Sequence, residues 1–300
     1  MDFIFTKMNG AGNDFIVADA SALSREMIGK MFHKERIALL CDRHLGIGGD
    51  GLILVKILPC CSKENPAMVE MFYFNSDGGS AAMCGNGLRC AASFVWQKGL
   101  LQKERKMSFL SAGLKAEAEI LDDDGKKVKI QLDVTEKFRE YSVDFEGKVY
   151  RVFKGAVGVP HAVTVLEKQE EWDALDVKKF GAFLRYHPLF APAGVNADFL
   201  FFEQGEMVKD IPEIRIRTYE RGVEDETLCC GTGCSASAAV LVEFFSLPEK
   251  LRLFCRKGDQ IDIEIVKECN ILKGVYLSGP AETVFEGALS FEFENTENKI

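Results

Sequence analysis

Two stretches of the chain, residues 83–92 (MCGNGLRCAA) and 229–239 (CCGTGCSASAA), share one core. The cores align as Cys84-Gly85-Asn86-Gly87 and Cys230-Gly231-Thr232-Gly233, and each runs into small, helix-compatible residues. A cysteine just ahead of a helix sits where unpaired backbone N–H groups converge and where the helix dipole adds partial positive charge. Both favour thiolate over thiol, so the pattern predicts a pKa lowered from the usual ~8.5 towards neutrality. The glycines allow close backbone approach to a ligand, and the free N–H groups can hold a carboxylate. Two such turns facing each other across a cleft suit stereoinversion at carbon. A thiolate on one side takes a proton and a thiol on the other side returns one. Acid and base of the same chemical type fit, because each must do either job as the reaction reverses.

The elements that must position these turns can be read from periodicity. Residues 3–8 and 15–19 read as strands separated by a turn at 9–14, and 24–41 carries apolar residues at helical spacing. A glycine-rich loop at 44–51 leads into strands at 52–58 and 69–75, then a helix at 85–98 closed by Gly99. In the second half, strands are expected at 127–134, 148–157, 197–203, 213–220, 259–266, 274–279 and 281–291, with a buried helix at 230–245. The acidic turn at 122–127 marks a hairpin or a domain joint, and residues 294–300 read as a frayed end. A second echo, Gly12-Asn13-Asp14-Phe15 against Asn196-Ala197-Asp198-Phe199, stands ahead of each cysteine turn in the same order and supports duplication. Strands dominate and helices are few but apolar. The expected fold is therefore α+β, with two pseudo-symmetric halves that each wrap a curved sheet around a central helix.

Composition narrows the function. The chain has 300 residues, enough for one large domain or two ordinary ones. A formal charge of −9 disfavours a general nucleic-acid or anionic-membrane binder. No apolar run is long enough to span a bilayer, and no signal pattern opens the chain. Ten cysteines in so long a chain do not make a secreted disulfide scaffold, so reduced thiols and a cytoplasmic location are expected. The spacings Cys84-x5-Cys90 and Cys230-x3-Cys234 are not those of a zinc site, and no C-x-x-C redox motif occurs. Cys90 and Cys234 read as packing residues, and Cys229 as pointing away from Cys230. Cys41, Cys60, Cys61, Cys255 and Cys269 read as inert.

With these residues in view, the chain resembles the diaminopimelate epimerases. The matching stretches are 8–19, 42–55, 71–92, 158–163, 195–199, 218–233 and 279–287, in family order across nearly the whole chain. The resemblance implies two α+β domains, residues 1–130 with 276–300 carrying Cys84, and 131–275 carrying Cys230, with the site in the cleft between them. It implies interconversion of LL- and meso-diaminopimelate without pyridoxal phosphate, metal or other cofactor, by a homodimer. Cys84 and Cys230 match the catalytic pair. Asn13, Asn75 and Asn196 match substrate-contacting asparagines, and Glu220 and Arg221 match a pair that binds the substrate amino and carboxylate groups. Gly85, Asn86, Gly231 and Thr232 match helix-start amides that hold the α-carboxylate, and His161 matches a histidine near the cysteines.

Some positions depart from the family pattern. Val159 stands where the turn is usually Gly-Asn-Pro-His, and it offers no side-chain hydrogen bond. The segment through Val223 to Glu226 is one residue longer, and Gly49 and Gly51 replace larger residues. These differences leave open a relaxed amino-acid racemase, acting for example on glutamate. A non-catalytic ligand-binding relative and a thiol redox sensor are the readings from other classes. Retention of both cysteines speaks against the former.

Overall fold

The computed structural model describes residues 2–58, 68–81, 84–269 and 271–290. Cys60, Cys61 and residues 294–300 lie outside them. Two helices form the centre. Gly85–Gln97 is buried from Gly85 through Trp96, and Gly231–Phe244 is buried along nearly its whole length. A helix with no solvent face must be enclosed on every side, and strands supply the enclosure. The first central helix packs on strands Asp2–Gly10, Asn13–Asp19, Leu114–Ile120 and Lys127–Phe145. The second packs on Lys148–Val157, Val159–Val165, Gln260–Glu268 and Ile271–Pro280. All strands join one continuous hydrogen-bonded sheet, and one apolar core runs through both helices. This is the α+β architecture expected from the sequence.

The second echo does not join equivalent strands: Asn13–Asp19 leads into the helical crossover of the first half, whereas Asn196–Phe201 follows the helical crossover of the second, so the duplication rests on the cysteine turns and on the strand order. Asn13–Asp19 runs parallel to Gly51–Leu58 with Phe15 opposite Gly51, and Asn196–Phe201 runs parallel to Val159–Val165 with Asn196 opposite His161. The first strand pairs with the last, Phe3 opposite Leu289. Strands Lys127–Phe145 and Ile271–Pro280 pass across the sequence positions 130/131 and 275/276 without a break.

Several elements differ from the periodicity reading. The helix expected at 24–41 is two helices, Arg25–Met31 and Lys34–Cys41. Ser24 Oγ caps the first by accepting from the Met27 amide at 3.1 Å, while Phe32 leaves helical geometry and His33 is extended. The strand expected at 127–134 continues to Phe145 through bulges near Glu136. Strands Lys106–Ser111, Leu114–Ile120 and Val159–Val165 and the helix Val177–Arg185 were not anticipated. The acidic turn is a hairpin, with Ile120 opposite Val128 and the Asp122 carboxylate accepting from the Lys126 and Lys127 amides. Among the described residues, no helix is long and apolar enough to cross a membrane.

Candidate active site

Both cysteine turns fold the same way. Cys84 has φ −129° and ψ 125°, Cys230 has φ −109° and ψ 111°, and each is the residue that caps its helix. The Cys84 carbonyl accepts from the Leu88 amide at 2.8 Å and the Cys230 carbonyl from the Cys234 amide at 2.9 Å. Cys230 Sγ also lies 3.4 Å from the Gly233 amide and 3.3 Å from Thr232 Oγ1. Glycine is required at 233 by close approach, since a Cβ there would stand 2.4 Å from Asp198 Oδ1.

The two helix starts meet through Asn86. Its Nδ2 donates to Asn13 Oδ1 and, at 3.2 Å, to the Cys229 carbonyl. A Cβ on Gly231 would stand 3.0 Å from Asn86 Oδ1. One amide side chain therefore spans the seam from the first cysteine turn to the residue before the second. Asn13 continues the chain of contacts, with its Nδ2 donating to Asp50 Oδ2 at 3.0 Å.

A cleft of about 850 Å³ opens over the seam, lined by Asn13, Tyr73, Asn75, Cys84, Glu220 and Arg221 among others. The remaining expected residues stand behind this surface. Cys230 is 8% exposed, and Gly85, Asn86 and Gly231 are buried at the seam. Thr232, in the first turn of its helix, lies beside the Cys230 sulfur, outside the cleft lining. Asn196 Oδ1 accepts from the Arg221 amide at 2.8 Å and so fixes the turn that carries Arg221. His161 is fully buried, with Nδ1 2.7 Å from Asp198 Oδ2 and Nε2 unpartnered. Asp198 takes a further bond from Thr218 Oγ1 at 2.8 Å. His161 and Asp198 thus brace the second turn from beneath and do not line the cleft.

Burial sets the electrostatics of the site, and Glu220 adds to it. Burial raises its carboxyl pKa, opposed by hydrogen bonds from Thr227 Oγ1, at 2.9 Å, and from Cys230. Burial likewise pushes the Cys84 thiol up, the Gly87 and Asn86 amides pull it down, and the Glu220 charge raises it again. Cys230 is raised for the same first reason, then by Glu220 and Asp198. The helix-start amides lower both thiols as the sequence predicts, but desolvation outweighs them.

Sequence reasoning missed Asp50, Arg43, Asp198 and Arg89. Arg43 bonds both Asp14, at 2.9 and 2.6 Å, and Asp50, at 2.8 Å, on the cleft rim. Asp50 closes the glycine-rich loop and Asp198 lies within the second echo, so both stood inside motifs already singled out. Cys234 and Cys255, read as packing and as inert, lie in the apolar core, and with Cys229 they form one buried group whose sulfurs lie within 4.8 Å of one another.

A family model described as diaminopimelate epimerase matches residues 5–137. The diaminopimelate epimerase of Aquifex aeolicus is 37% identical over 96% of this chain and 98% of that protein. The Hydrogenobaculum protein of the same name is 36% identical over 96% and 99%. That of Archaeoglobus fulgidus is 32% identical over 96% and 97%. Among solved structures, a Bacillus anthracis phenazine biosynthesis protein of the PhzF family superposes with a TM-score of 0.69 at 14% identity, covering 97% of this chain and 100% of that one. A hydroxyproline epimerase from Agrobacterium vitis superposes with a TM-score of 0.64 at 14% identity, covering 96% and 91%. These likenesses show the same fold.

Proposed function

The chain belongs to the diaminopimelate epimerase family, and from that premise we propose that it interconverts LL- and meso-diaminopimelate by two-base proton transfer between Cys84 and Cys230. The observation that carries this reading is the pair of like-folded cysteine caps joined by Asn86, with Glu220 acting on both sulfurs. The α-ammonium of the substrate pairs with Glu220. That pairing neutralises the charge that raises the Cys84 thiol, so substrate binding itself eases formation of the base. The α-carboxylate rests on amides of the helix starts around Gly85-Asn86 and Gly231-Thr232, with Arg221 as a bidentate partner for carboxylate. Removal of the Cα proton spreads negative charge onto that carboxylate as an enediolate, which preorganised N–H donors stabilise. The opposite thiol then delivers its proton to the other face.

The cleft lining also carries Asp50, Asp77 and Arg43. Charges of both signs there suit a second amino-carboxylate end, which favours diaminopimelate over the shorter glutamate. Residues 1–130 with 276–300 and residues 131–275 act as the two units that close on the substrate, excluding water from the carbanion. The same reading makes the enzyme cytoplasmic and homodimeric, with no nucleic-acid partner, in keeping with its charge of −9. Light scattering tests the dimer.

The test is reduced protein with LL-diaminopimelate in D2O, followed by chiral chromatography and mass spectrometry. Inversion with deuterium at Cα of the meso product is expected. Cys84→Ser and Cys230→Ser are each expected to lower kcat by about 10²–10⁴-fold, the usual worth of a general acid–base group. Folded, reduced protein that gives neither inversion nor deuterium would sink the proposal, and glutamate in the same assay would decide the relaxed-racemase alternative.

A further inference from the structure

Cys229, Cys234 and Cys255 come from three places: the segment entering the second central helix, the first turn of that helix, and the end of strand Lys250–Phe254. All three are buried, at 4%, 0% and 5% exposure. Cys255 Sγ lies 2.6 Å from Cys229 Sγ and 3.7 Å from Cys234 Sγ, and all three sulfurs fall within 4.8 Å. Apart from each other, these side chains have no recorded hydrogen-bond partner among the described residues. The proton transfers assigned to Cys84 and Cys230 use none of them.

We propose that Cys229, Cys234 and Cys255 form a three-thiolate site for a soft monovalent cation of the copper(I) class, seated directly behind the second catalytic turn. Three sulfurs around one ion at a metal–thiolate bond of about 2.3 Å stand about 4 Å apart. The 3.7 Å edge already lies near that value, and the 2.6 Å edge has to open to reach it. Sulfur-only coordination selects soft ions such as copper(I), zinc or iron–sulfur clusters. Structural zinc takes four protein ligands and catalytic zinc three with an open water position, whereas the described residues bring together three buried sulfurs, none of which lines the cleft. Three-fold sulfur coordination therefore points to copper(I).

A second observation comes from Arg89. Its guanidinium is fully buried, Nε donates to the Pro280 carbonyl at 3.2 Å, and neither terminal nitrogen has a hydrogen-bond partner among the described residues. Its Nη1 would stand 3.6 Å from a Cβ on Gly231, two residues from Cys229. Each metal–thiolate bond replaces one S–H bond and releases its proton to solvent. A monovalent ion with three thiolates is an anion, and the unpaired Arg89 cation beside the turn offsets part of that charge. The filled site would tie strand Lys250–Phe254 to the entry of the helix and hold the Cys230 turn from behind. The proposal does not depend on which substrate the cleft accepts.

The test uses the full chain carrying Cys84→Ser, reduced and handled without oxygen, so that the cleft thiol does not compete. Copper(I) is titrated against a copper(I)-specific chelator, with charge-transfer absorption and native mass spectrometry as readouts. One bound copper is expected. Cys234→Ala and Cys255→Ser should each weaken binding at least 10-fold with an unchanged circular dichroism spectrum, whereas Cys90→Ala, which removes a buried thiol outside the group, should not. Two variants are used so that misfolding of one leaves the question decidable. Reduced protein that takes up no copper overturns the proposal, as does full affinity in Cys255→Ser.

Discussion

Replacing Asn86 by alanine isolates the seam between the two cysteine turns. The side chain donates to Asn13 Oδ1 and, at 3.2 Å, to the Cys229 carbonyl. Each hydrogen bond is worth about 1 kcal/mol net, and a buried carbonyl left without a donor costs about 1 kcal/mol or more. The total is about 2–3 kcal/mol. No apolar core residue is lost, so the deficit falls on how firmly one turn is held against the other. If it appears in the transition state, kcat/KM falls roughly 30- to 160-fold at 1.36 kcal/mol per decade, mostly through kcat. The assay is diaminopimelate epimerisation by chiral chromatography, run beside thermal unfolding. Asn86→Asp is the paired control, because a carboxylate cannot donate to either partner and should lose as much. An alanine variant within two-fold of the parent in kcat/KM would refute the idea that this amide registers the two halves of the site.

Other expectations test the surroundings. Burial works to raise the Asp14 pKa, but hydrogen bonds and charge from Arg43 and Lys7 outweigh it and bring it to about 2. A depressed carboxyl contributes stability that is fully present above its unfolded value near pH 4 and is lost as pH falls through about 2. The contribution is about 2 kcal/mol. Urea midpoints between pH 5 and pH 2 should therefore fall in the parent more steeply than in Asp14→Asn, and parallel profiles would contradict this. Asp198→Ala leaves His161 and Thr218 without their shared acceptor, and breaking a buried pair costs about 3–5 kcal/mol. Differential scanning calorimetry should show Tm lower by roughly 6–20 °C, and a shift under 3 °C would contradict the bracing role given to this cluster. Finally, the Cys84 thiol is raised by burial. Its alkylation by iodoacetamide in ligand-free protein should have a pH midpoint above the ~8.5 of a free cysteine. A midpoint near neutrality would show that the helix start wins after all.

Much of the fold was legible because its signals are local. The two central helices announce themselves as small-residue runs behind a cysteine–glycine start, and strands such as Glu213–Glu220 alternate cleanly. What escaped depended on tertiary context. Leu114–Ile120 has little apolar patterning, and it is a strand because Ala118 faces Ile130 and Met107. The break at Phe32–His33 leaves the apolar spacing unchanged, so periodicity could not place it. The site followed the same division. Cys84 and Cys230 could be found from spacing, because a helix cap is a property of a few consecutive residues. Asp198 could not, because its role arises from a histidine 37 residues away. The two opposing influences on the thiols divide in the same way. Helix polarity can be read from a short motif, whereas desolvation depends on everything that folds around it.

The pairing of the first strand with the last has a consequence for how the protein is made. Phe5 meets Phe285 edge-on at 6.0 Å, and Asp2 faces Ser290 across the ladder. At synthesis rates of about 5–20 residues per second, one flank of Asp2–Gly10 waits on the order of 15–60 s for its partner to emerge from the ribosome. The half that carries Cys84 is translated early and completed last. The nascent chain therefore presents an unpaired apolar edge throughout the production of the half that carries Cys230, and cellular handling of that interval bears on yield as directly as the stability of the finished enzyme.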